Sequence, residues 1–152
     1  MSVFPTKILL ATDGSDESDL AATSAAELAK STDSELDVIF VLEVEPWHIP
    51  PRELVQNPQR YEDLREESRR MRDRQVEKIE ASGGSVSKAH LAIGHPADQI
   101  VAYAQDQGAG LIVMGSRGLG GIRRALMGSV SDAVVRHAHC PVMIVRPEKA
   151  DS

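Results

Sequence analysis

Aromatic residues are scarce in this 152-residue chain, at 3% of the sequence. Proteins that hold single-stranded nucleic acid stack its bases on aromatic rings, so the shortage argues against that function. The chain has one cysteine, Cys140, which excludes an internal disulfide and fits a reducing compartment. We expect this residue to serve as a small buried hydrophobe at the start of a strand rather than as a reactive thiol.

Long apolar runs and an excess of positive charge are also missing. No stretch approaches the ~20 apolar residues of a membrane span, and Pro5 and Lys7 interrupt the segment where a signal peptide would be apolar. The sequence therefore predicts a cytoplasmic protein without membrane association. Acidic residues outnumber basic ones by 23 to 17, for a net charge of −6. This charge disfavours nucleic acid as a partner, so any anion site must be local.

The composition that remains is that of one soluble domain. Hydrophobic residues make up 41% and charged residues 26% of the chain, as in ordinary globular proteins. A chain of this length can bury a continuous core without disulfides or a structural metal. We expect a single domain over residues 1–147 and a frayed tail over 148–152.

Short apolar runs alternate with helix patterns along the chain. The runs predict buried strands at 7–12, 36–44 and 110–115 and a fifth strand at 140–147. The segment 85–94 alternates enough to predict a strand near an edge of the sheet. Helices are predicted after the turn at 13–15, over 61–82, over 95–107 and from 129, with a proline-rich loop over 45–59. In the helix at 61–82, the residues that form a narrow apolar stripe are Leu64, Met71, Val76 and Ile79. The alternation predicts an α/β fold with a doubly wound parallel sheet and helices on both faces.

The most distinctive segment is "GSRGLGGIRRALMGSVS" at 115–131, which is rich in glycine and arginine and has no acidic residue. In a sheet of order 3-2-1-4-5, ligands bind where the strand order reverses, between strands one and four. The turn "TDGS" after strand one and the glycine segment after strand four would then face each other across one crevice. The sequence predicts an anion site there.

Backbone groups are the main donors expected at this site. Glycines at 115, 118, 120 and 121 allow left-handed backbone, so that successive N–H groups can point at one phosphate. Gly128 and Ser129 open a helix whose first N–H groups form a second anion site, with the Ser129 and Ser131 hydroxyls as additional donors. Of the arginines, Arg117 is placed to reach the ligand. Arg123 and Arg124 are more typical of solvated charge or a partner contact.

Two common nucleotide signatures do not account for the segment. The third glycine of the dinucleotide fingerprint is missing, and no glycine precedes Lys-Ser or Lys-Thr as in a Walker loop. The spacing present is G-x2-G-x9-G-S, formed by Gly115, Gly118, Gly128 and Ser129. With this spacing, and with "ILLATDGS", "GHPADQI" and "LIVMGSRGLGGIRRALMGSVSDAVVRHAHCPVMIVR", nearly the whole chain resembles the universal stress protein family.

The resemblance implies a fold and a ligand. The family has a five-stranded parallel sheet of order 3-2-1-4-5, and G-x2-G-x9-G-[ST] is its ATP-binding motif. The chain is therefore expected to bind ATP or another adenine nucleotide, with Mg²⁺ or Mn²⁺ at the phosphates. By resemblance, Asp13 would meet the ribose or that metal, while Ala11, Thr12 and Val41 would line the adenine. Met114 and Gly115 would flank the ribose, and the phosphates would be surrounded by Arg117, Gly118, Gly128, Ser129, Val130 and Ser131.

Two of these features have simpler interpretations. Asp13 precedes a glycine in "TDGS", where an aspartate often closes an Asx turn or caps a helix. The "HAHC" run at 137–140 has a spacing seen in metal sites, but it falls at a helix-to-strand junction where the side chains would diverge. Because Asp13 would face the glycine segment, we still expect it to contact the ligand. We expect no metal site at 137–140.

Three functions follow from these predictions. The leading hypothesis is an ATP-binding regulatory protein, because the phosphate cradle lacks the lysine and second carboxylate of phosphoryl-transfer enzymes. The alternative is a slow metal-dependent ATPase or nucleotidyl-transferring enzyme that uses Asp13. A nucleotide-free scaffold is the third, and the intact glycines disfavour it. Strand five is apolar and ends the sheet, and the resemblance implies a homodimer through 142–146, besides an unknown regulatory protein partner.

Overall fold

The computed structural model describes residues 3–43, 56–116 and 128–147. Five parallel strands form one sheet of order β3-β2-β1-β4-β5, which confirms the predicted fold class. In chain order the elements are β1 (Lys7–Thr12), α1 (Asp16–Thr32), β2 (Glu35–Glu43), α2 (Pro58–Ala81), β3 (Lys88–Gly94), α3 (Pro96–Gln107), β4 (Leu111–Gly115), α4 (Ser129–His137) and β5 (Val142–Val145).

Two apolar cores lie on the two faces of this sheet. Alternate residues of β1 belong to different cores. Ile8 and Leu10 pack with α1 and α2 in the first core, and Leu9 packs with α3 and α4 in the second core. Because both faces are covered, the strands read as continuous apolar runs rather than as alternating patterns. Alanines on α1 let this helix approach the sheet closely, and those fully or nearly fully buried are Ala21, Ala22 and Ala25.

Helix α2 differs most from its prediction. Ile79 of the expected apolar stripe is buried, but the other buried residues of this helix are Ser68 and Gln75, while Leu64 and Met71 are only half-buried. The helix also begins earlier than predicted, at Pro58, because the Asn57 side chain caps it by accepting from the Arg60 amide. Residues 44–55 of the proline-rich loop lie outside the described residues.

The start of β3 was also predicted too early. Strand β3 begins at Lys88 rather than at 85, since Gly84 is held in the turn after α2 and contact with β2 begins only at Ser87. The Gly84 amide donates to the Ile79 carbonyl at 2.9 Å, and the Ser87 amide donates to the Leu36 carbonyl at 2.7 Å. Its expected position at an edge of the sheet is confirmed. Among the helices that the structure describes, none is long and apolar enough to cross a bilayer.

Candidate functional site

The carboxyl ends of β1 and β4 lie side by side where the parallel strands of the sheet end, and we call this end of the sheet its carboxyl edge. Leu10 pairs with Val113, so the last residues of the two strands, Thr12 and Gly115, come at the same level. From β1 the chain continues to β2 on one side, whereas β4 occupies the other side. The strand order therefore reverses between β1 and β4, and a crevice for a ligand is expected at this point.

The turn after β1 is organised by the Asp13 carboxylate. Its Oδ1 atom accepts from the Ser15 amide at 2.9 Å and from the Ser18 hydroxyl at 2.7 Å. The Ser15 side chain in turn caps α1 by accepting from the Ser18 amide. This is the Asx turn that the sequence left open as the simpler role of Asp13. The carboxylate is thus held rigidly at the carboxyl edge of the sheet, and it stays half-buried.

A buried glutamine from α2 joins this turn, and the sequence prediction missed it. Gln75 is 3% exposed, and its Oε1 accepts from the Thr12 hydroxyl at 2.8 Å. Its Nε2 donates to Asp19 Oδ1 at 3.2 Å, and the same carboxylate binds Lys78 Nζ at 3.1 Å. One signal in the sequence pointed to it: Gln75 is a neutral polar residue on the inner face of an otherwise strongly charged helix.

On the β4 side, Ser116 ties together three parts of the fold. Its amide donates to the Val145 carbonyl of β5 at 3.0 Å. Its carbonyl accepts from the Gly128 amide at 2.6 Å and from the Ser131 hydroxyl at 3.1 Å. The chain therefore leaves the sheet at Ser116 and returns to the same point at Gly128. Arg117 and Gly118, which were predicted to bind phosphate, lie outside the described residues.

The first turn of α4 presents its backbone amides at this return point. Gly128 is the N-cap and supplies no side-chain cap, and the first N–H groups of a helix have no partner within the helix. Ser129 is exposed, whereas Val130 packs against the second core. The amide groups of this turn, together with the positive end of the helix dipole, form a typical anion-binding arrangement.

The Ser131 hydroxyl does not do what the sequence suggested. It was expected to offer a hydrogen bond to a phosphate, but it is 2% exposed. It donates instead to the carbonyls of Ser116 and Gly128, at 3.1 and 3.0 Å. The hydroxyl is used because these carbonyls are buried where the chain re-enters the fold. Of the two serines, only Ser129 has an exposed side chain.

Gly115 differs from its prediction, while Gly118, Gly120 and Gly121 lie outside the described residues. Gly115 is not among the described glycines with positive φ, and it continues β4 in register with Val145. Gly128 has φ −72° and ψ 167°, a conformation open to any residue. The left-handed glycine at this edge is Gly14, with φ 82°. The backbone angles of Gly128 therefore do not exclude a side chain at this position.

The predicted adenine and ribose residues lie under the crevice. Ala11, Thr12 and Met114 are buried at the ends of their strands. Val41 is half-buried near the end of β2 and packs against the second core. These side chains are taken up by packing and, for Thr12, by the hydrogen bond to Gln75, so backbone groups remain the means by which these residues would meet a ligand.

Shifted pKa values are found at the other end of the sheet. Burial raises the pKa of Asp37 and of Tyr103 and lowers that of His90. Burial also raises the pKa of the Cys140 thiol, which is half-buried against the second core as a hydrophobe would be. In the parts of the chain that the structure describes, no three His, Cys, Asp or Glu side chains gather as metal ligands would. A metal at Asp13 would therefore draw its other ligands from phosphate oxygens and water.

Comparison with known proteins identifies relatives of the whole chain. Residues 5–146 match the model of the universal stress protein family. A universal stress protein of Methanocaldococcus jannaschii is 37% identical over 145 residues, which cover 95% of this chain and 84% of that protein. The solved structure of the universal stress protein UspA from Lactobacillus plantarum has a TM-score of 0.80 at 24% identity, covering 94% and 99% of the two chains.

Two further solved structures share the fold and hold nucleotides. One is a universal stress protein in complex with cAMP, with a TM-score of 0.66, 24% identity and coverage of 93% and 97%. The other is the universal stress protein from Archaeoglobus fulgidus in complex with dAMP, with a TM-score of 0.61, 22% identity and coverage of 94% and 98%. At these identities the likeness establishes a common fold.

Proposed function

This chain belongs to the universal stress protein family, and we propose that it binds an adenine nucleotide, in first place ATP, as a regulatory protein. The observation that carries the proposal is the 2.6 Å hydrogen bond between Gly128 and Ser116. This bond sets the amides of the α4 first turn at the carboxyl edge of β1 and β4. An uncapped helix N-terminus at a topological switch point is where phosphates bind in folds of this kind.

The described residues fit such a ligand. The amides of Ser129, Val130 and Ser131 and the Ser129 hydroxyl would hold the phosphates, and Arg117 and Gly118 complete the motif spacing. The backbone at Ala11, Thr12, Val41, Met114 and Gly115 would line the nucleoside. Adenine as the base is supported by the relatives in complex with cAMP and dAMP. A nucleotide would supply the compact negative charge that the α4 N-terminus favours.

A divalent ion, Mg²⁺ or Mn²⁺, is proposed with the phosphates. Mg²⁺ is usually held by one or two carboxylates together with phosphate oxygens and water. Asp13 is the carboxylate at this edge, and its position is fixed by the hydrogen bonds of its turn. When bound, the ion would neutralise phosphate charge. Asp13 would orient it while continuing to hold the turn through Oδ1.

Regulation is supported by a direct path from the site to β5. Ser116, the first residue of the phosphate segment, donates from its amide to the carbonyl of Val145 at 3.0 Å. Strand β5 is the sheet edge through which we propose a homodimer, over 142–146. A nucleotide that binds beside Ser116 would thereby bias the end of β5. Its occupancy would change the dimer or the surface offered to a regulatory partner.

Equilibrium titration of nucleotide-stripped protein tests this proposal. We expect calorimetry to give a Kd for ATP below about 1 mM, and we expect Gly128→Val to abolish binding. Valine is permitted at the backbone angles of Gly128, so the variant should keep the wild-type circular dichroism while its side chain fills the phosphate space. The exposed Ala102→Val variant on α3 is the matched control and should bind as wild type does. Wild-type protein without measurable affinity would contradict the proposal.

A turnover assay separates the regulatory function from the enzymatic alternative. An ATPase or nucleotidyl-transferring enzyme, even a slow one, would complete repeated cycles in Mg²⁺, and Asp13→Ala would abolish the activity. The regulatory proposal predicts that bound ATP stays largely intact during the titration. Sustained turnover that depends on Asp13 would replace it with the enzymatic function.

A further inference from the structure

We infer that Gln75 is a positioning residue for the nucleotide site. Through it, helix α2 holds the turn that presents Asp13 and so affects the affinity of the protein for nucleotide. The inference rests on the proposed function, and it concerns a residue outside the glycine motif. Gln75 lies 63 residues from Thr12 in the sequence, yet its side chain is buried against the end of β1. Burial removes a side-chain amide from water, which is costly unless its polar atoms form hydrogen bonds within the protein.

Hydrogen bonding fixes which way the Gln75 amide faces. The Asp19 carboxylate, which also binds Lys78, can only accept, so the Gln75 Nε2 group must point towards it. Gln75 Oε1 then faces the Thr12 hydroxyl, which must donate to it. The Thr12 oxygen is left to accept from the Gly14 amide at 3.3 Å. One directional chain of hydrogen bonds thus runs from α2 into the turn.

Packing from the same face of α2 holds the other side of the turn. Met71 precedes Gln75 by one helical turn, and a Cβ atom added at Gly14 would lie 2.7 Å from the Met71 methyl group. The left-handed backbone of Gly14 therefore passes directly beneath the helix. Between them, Met71 and Gln75 restrain the residues on both sides of Asp13.

The consequence is preorganisation of the site. Asp13 must stay in one position to meet a ribose hydroxyl or a metal bound at the phosphates, and freezing a loose turn upon binding lowers affinity. In the folded protein, Gln75 has already fixed the Thr12 hydroxyl and the Gly14 amide. Nucleotide affinity should therefore depend on a glutamine that touches no nucleotide.

The test compares Gln75→Met with Ile79→Val. Methionine keeps the length of the side chain but offers neither hydrogen bond, and we expect the Kd for ATP to rise about tenfold. Ile79 lies on the same face one turn further along and is 2% exposed, but no contact joins it to the turn. Ile79→Val should lower stability without changing the Kd. Equal Kd values for Gln75→Met and wild type would overturn the inference.

A reversal of the hydrogen-bond polarity gives a second test. In the double variant Asp19→Asn/Gln75→Glu, the carboxylate at 75 accepts from Thr12 and from the amide at 19. We expect this variant to recover most of the affinity, whereas Gln75→Glu alone should not, because it places two carboxylates together. Failure of the double variant to improve on Gln75→Glu would count against the hydrogen-bond chain.

Hydrogen exchange of the nucleotide-free protein distinguishes this inference from the proposed function. The amides of Gly14 and Ser15 should exchange faster in Gln75→Met than in wild type. In Ile79→Val their exchange rates should equal those of wild type. If wild-type protein binds no adenine nucleotide, the proposed function fails, and the exchange rates alone judge whether Gln75 orders the turn. Unchanged rates in Gln75→Met would overturn the inference whatever the titration shows.

Discussion

A carboxylate is buried at the amino end of β2, far from the proposed nucleotide edge. Asp37 is 0% exposed, and among the described residues its oxygens have no hydrogen bond of good geometry, the Lys88 backbone amide giving only weak support to the charged form. Burial raises its pKa, while the charges of Lys7 and Lys88 oppose the rise and Glu35 adds to it. The nearest cation is Lys7, whose Nζ lies 3.8 Å from Asp37 Oδ2. This attraction does not offset the loss of hydration, so the charged form is disfavoured.

Replacement of this carboxylate by an amide should stabilise the protein at neutral pH. The pKa of Asp37 in the folded state lies above the ordinary value of 3.8. The contribution of Asp37 to the free energy of unfolding is therefore fully present only below pH 3.8. That stability is lost as the pH rises through the raised pKa. We expect Asp37→Asn to increase the free energy of unfolding by about 1 kcal/mol at pH 7.5, as measured by urea denaturation.

The gain should shrink as the pH is lowered through the raised pKa and below 3.8, since the protonated form of wild-type Asp37 is then favoured in both states. Asp106→Asn makes the same change of charge at an exposed position of α3 and should have little effect at either pH. A gain from Asp37→Asn that does not vary with pH would show that Asp37 is not the titrating group.

At the scale of elements, the entry into α4 separates a structural serine from a binding one. Ser131 is buried and bonded to two carbonyls, whereas Ser129, two residues earlier, is exposed. The two hydroxyls sit on one helical turn, yet they face different environments. Removal of each should therefore affect a different property.

We expect Ser131→Ala to lower the free energy of unfolding by about 1 kcal/mol, because the hydrogen bonds of its buried hydroxyl to the Ser116 and Gly128 carbonyls are lost. Ser129→Ala should leave stability within about 0.5 kcal/mol and should weaken ATP binding, since its exposed hydroxyl lies in the first turn of α4, where the phosphates are proposed to bind. Urea denaturation and calorimetric titration of both variants measure the two effects. The reverse pattern would mean that the assignment of the two hydroxyls is wrong.

Helix α2 shows why an element can be predicted while its packing is not. Its length and charge follow from the sequence, as does its position over the sheet. Which residues its inner face buries does not follow from the sequence, because the burial of Gln75 depends on Thr12, 63 residues away. A pattern of apolar residues favours Met71 and Val76, and only the tertiary structure shows that a polar side chain has the buried position.

For the molecule as a whole, the edge at β5 carries the proposed assembly. Met143 is 38% exposed on this strand in the single chain, and the other apolar residues of β5 are half-buried. An exposed apolar edge of this kind tends to pair with another chain. A symmetric pair would bring the same strand from each copy together about a two-fold axis.

We expect Met143→Lys to convert a dimer into a monomer, since it places like charges across the two-fold axis without disturbing the core. Sedimentation velocity at micromolar concentration measures this change. Leu20→Lys, at an exposed position of α1, is the control and should leave the mass unchanged. Wild-type protein that sediments as a monomer would contradict the proposed dimer.

The sequence by itself determined the strands, their parallel arrangement and the edge of the sheet at which the distinctive loops meet. Buried parallel strands need apolar side chains on both faces, and this requirement leaves a plain trace in "KILLAT" and "LIVM". The glycine spacing and the turn "TDGS" are equally local, so they are visible without coordinates. The roles of Asp13 stayed open, because an Asx turn and a ligand site have the same sequence.

Only the tertiary structure decided how individual polar groups are used. It assigned the Ser131 hydroxyl to two carbonyls, Asp13 Oδ1 to its own turn, and Gln75 to the end of β1. The bonds from Gln75 to Thr12 and from Ser131 to Ser116 join residues that lie 63 and 15 positions apart in the chain. Hydrogen bonds form or fail over tenths of an ångström, and no periodicity in the sequence encodes that precision.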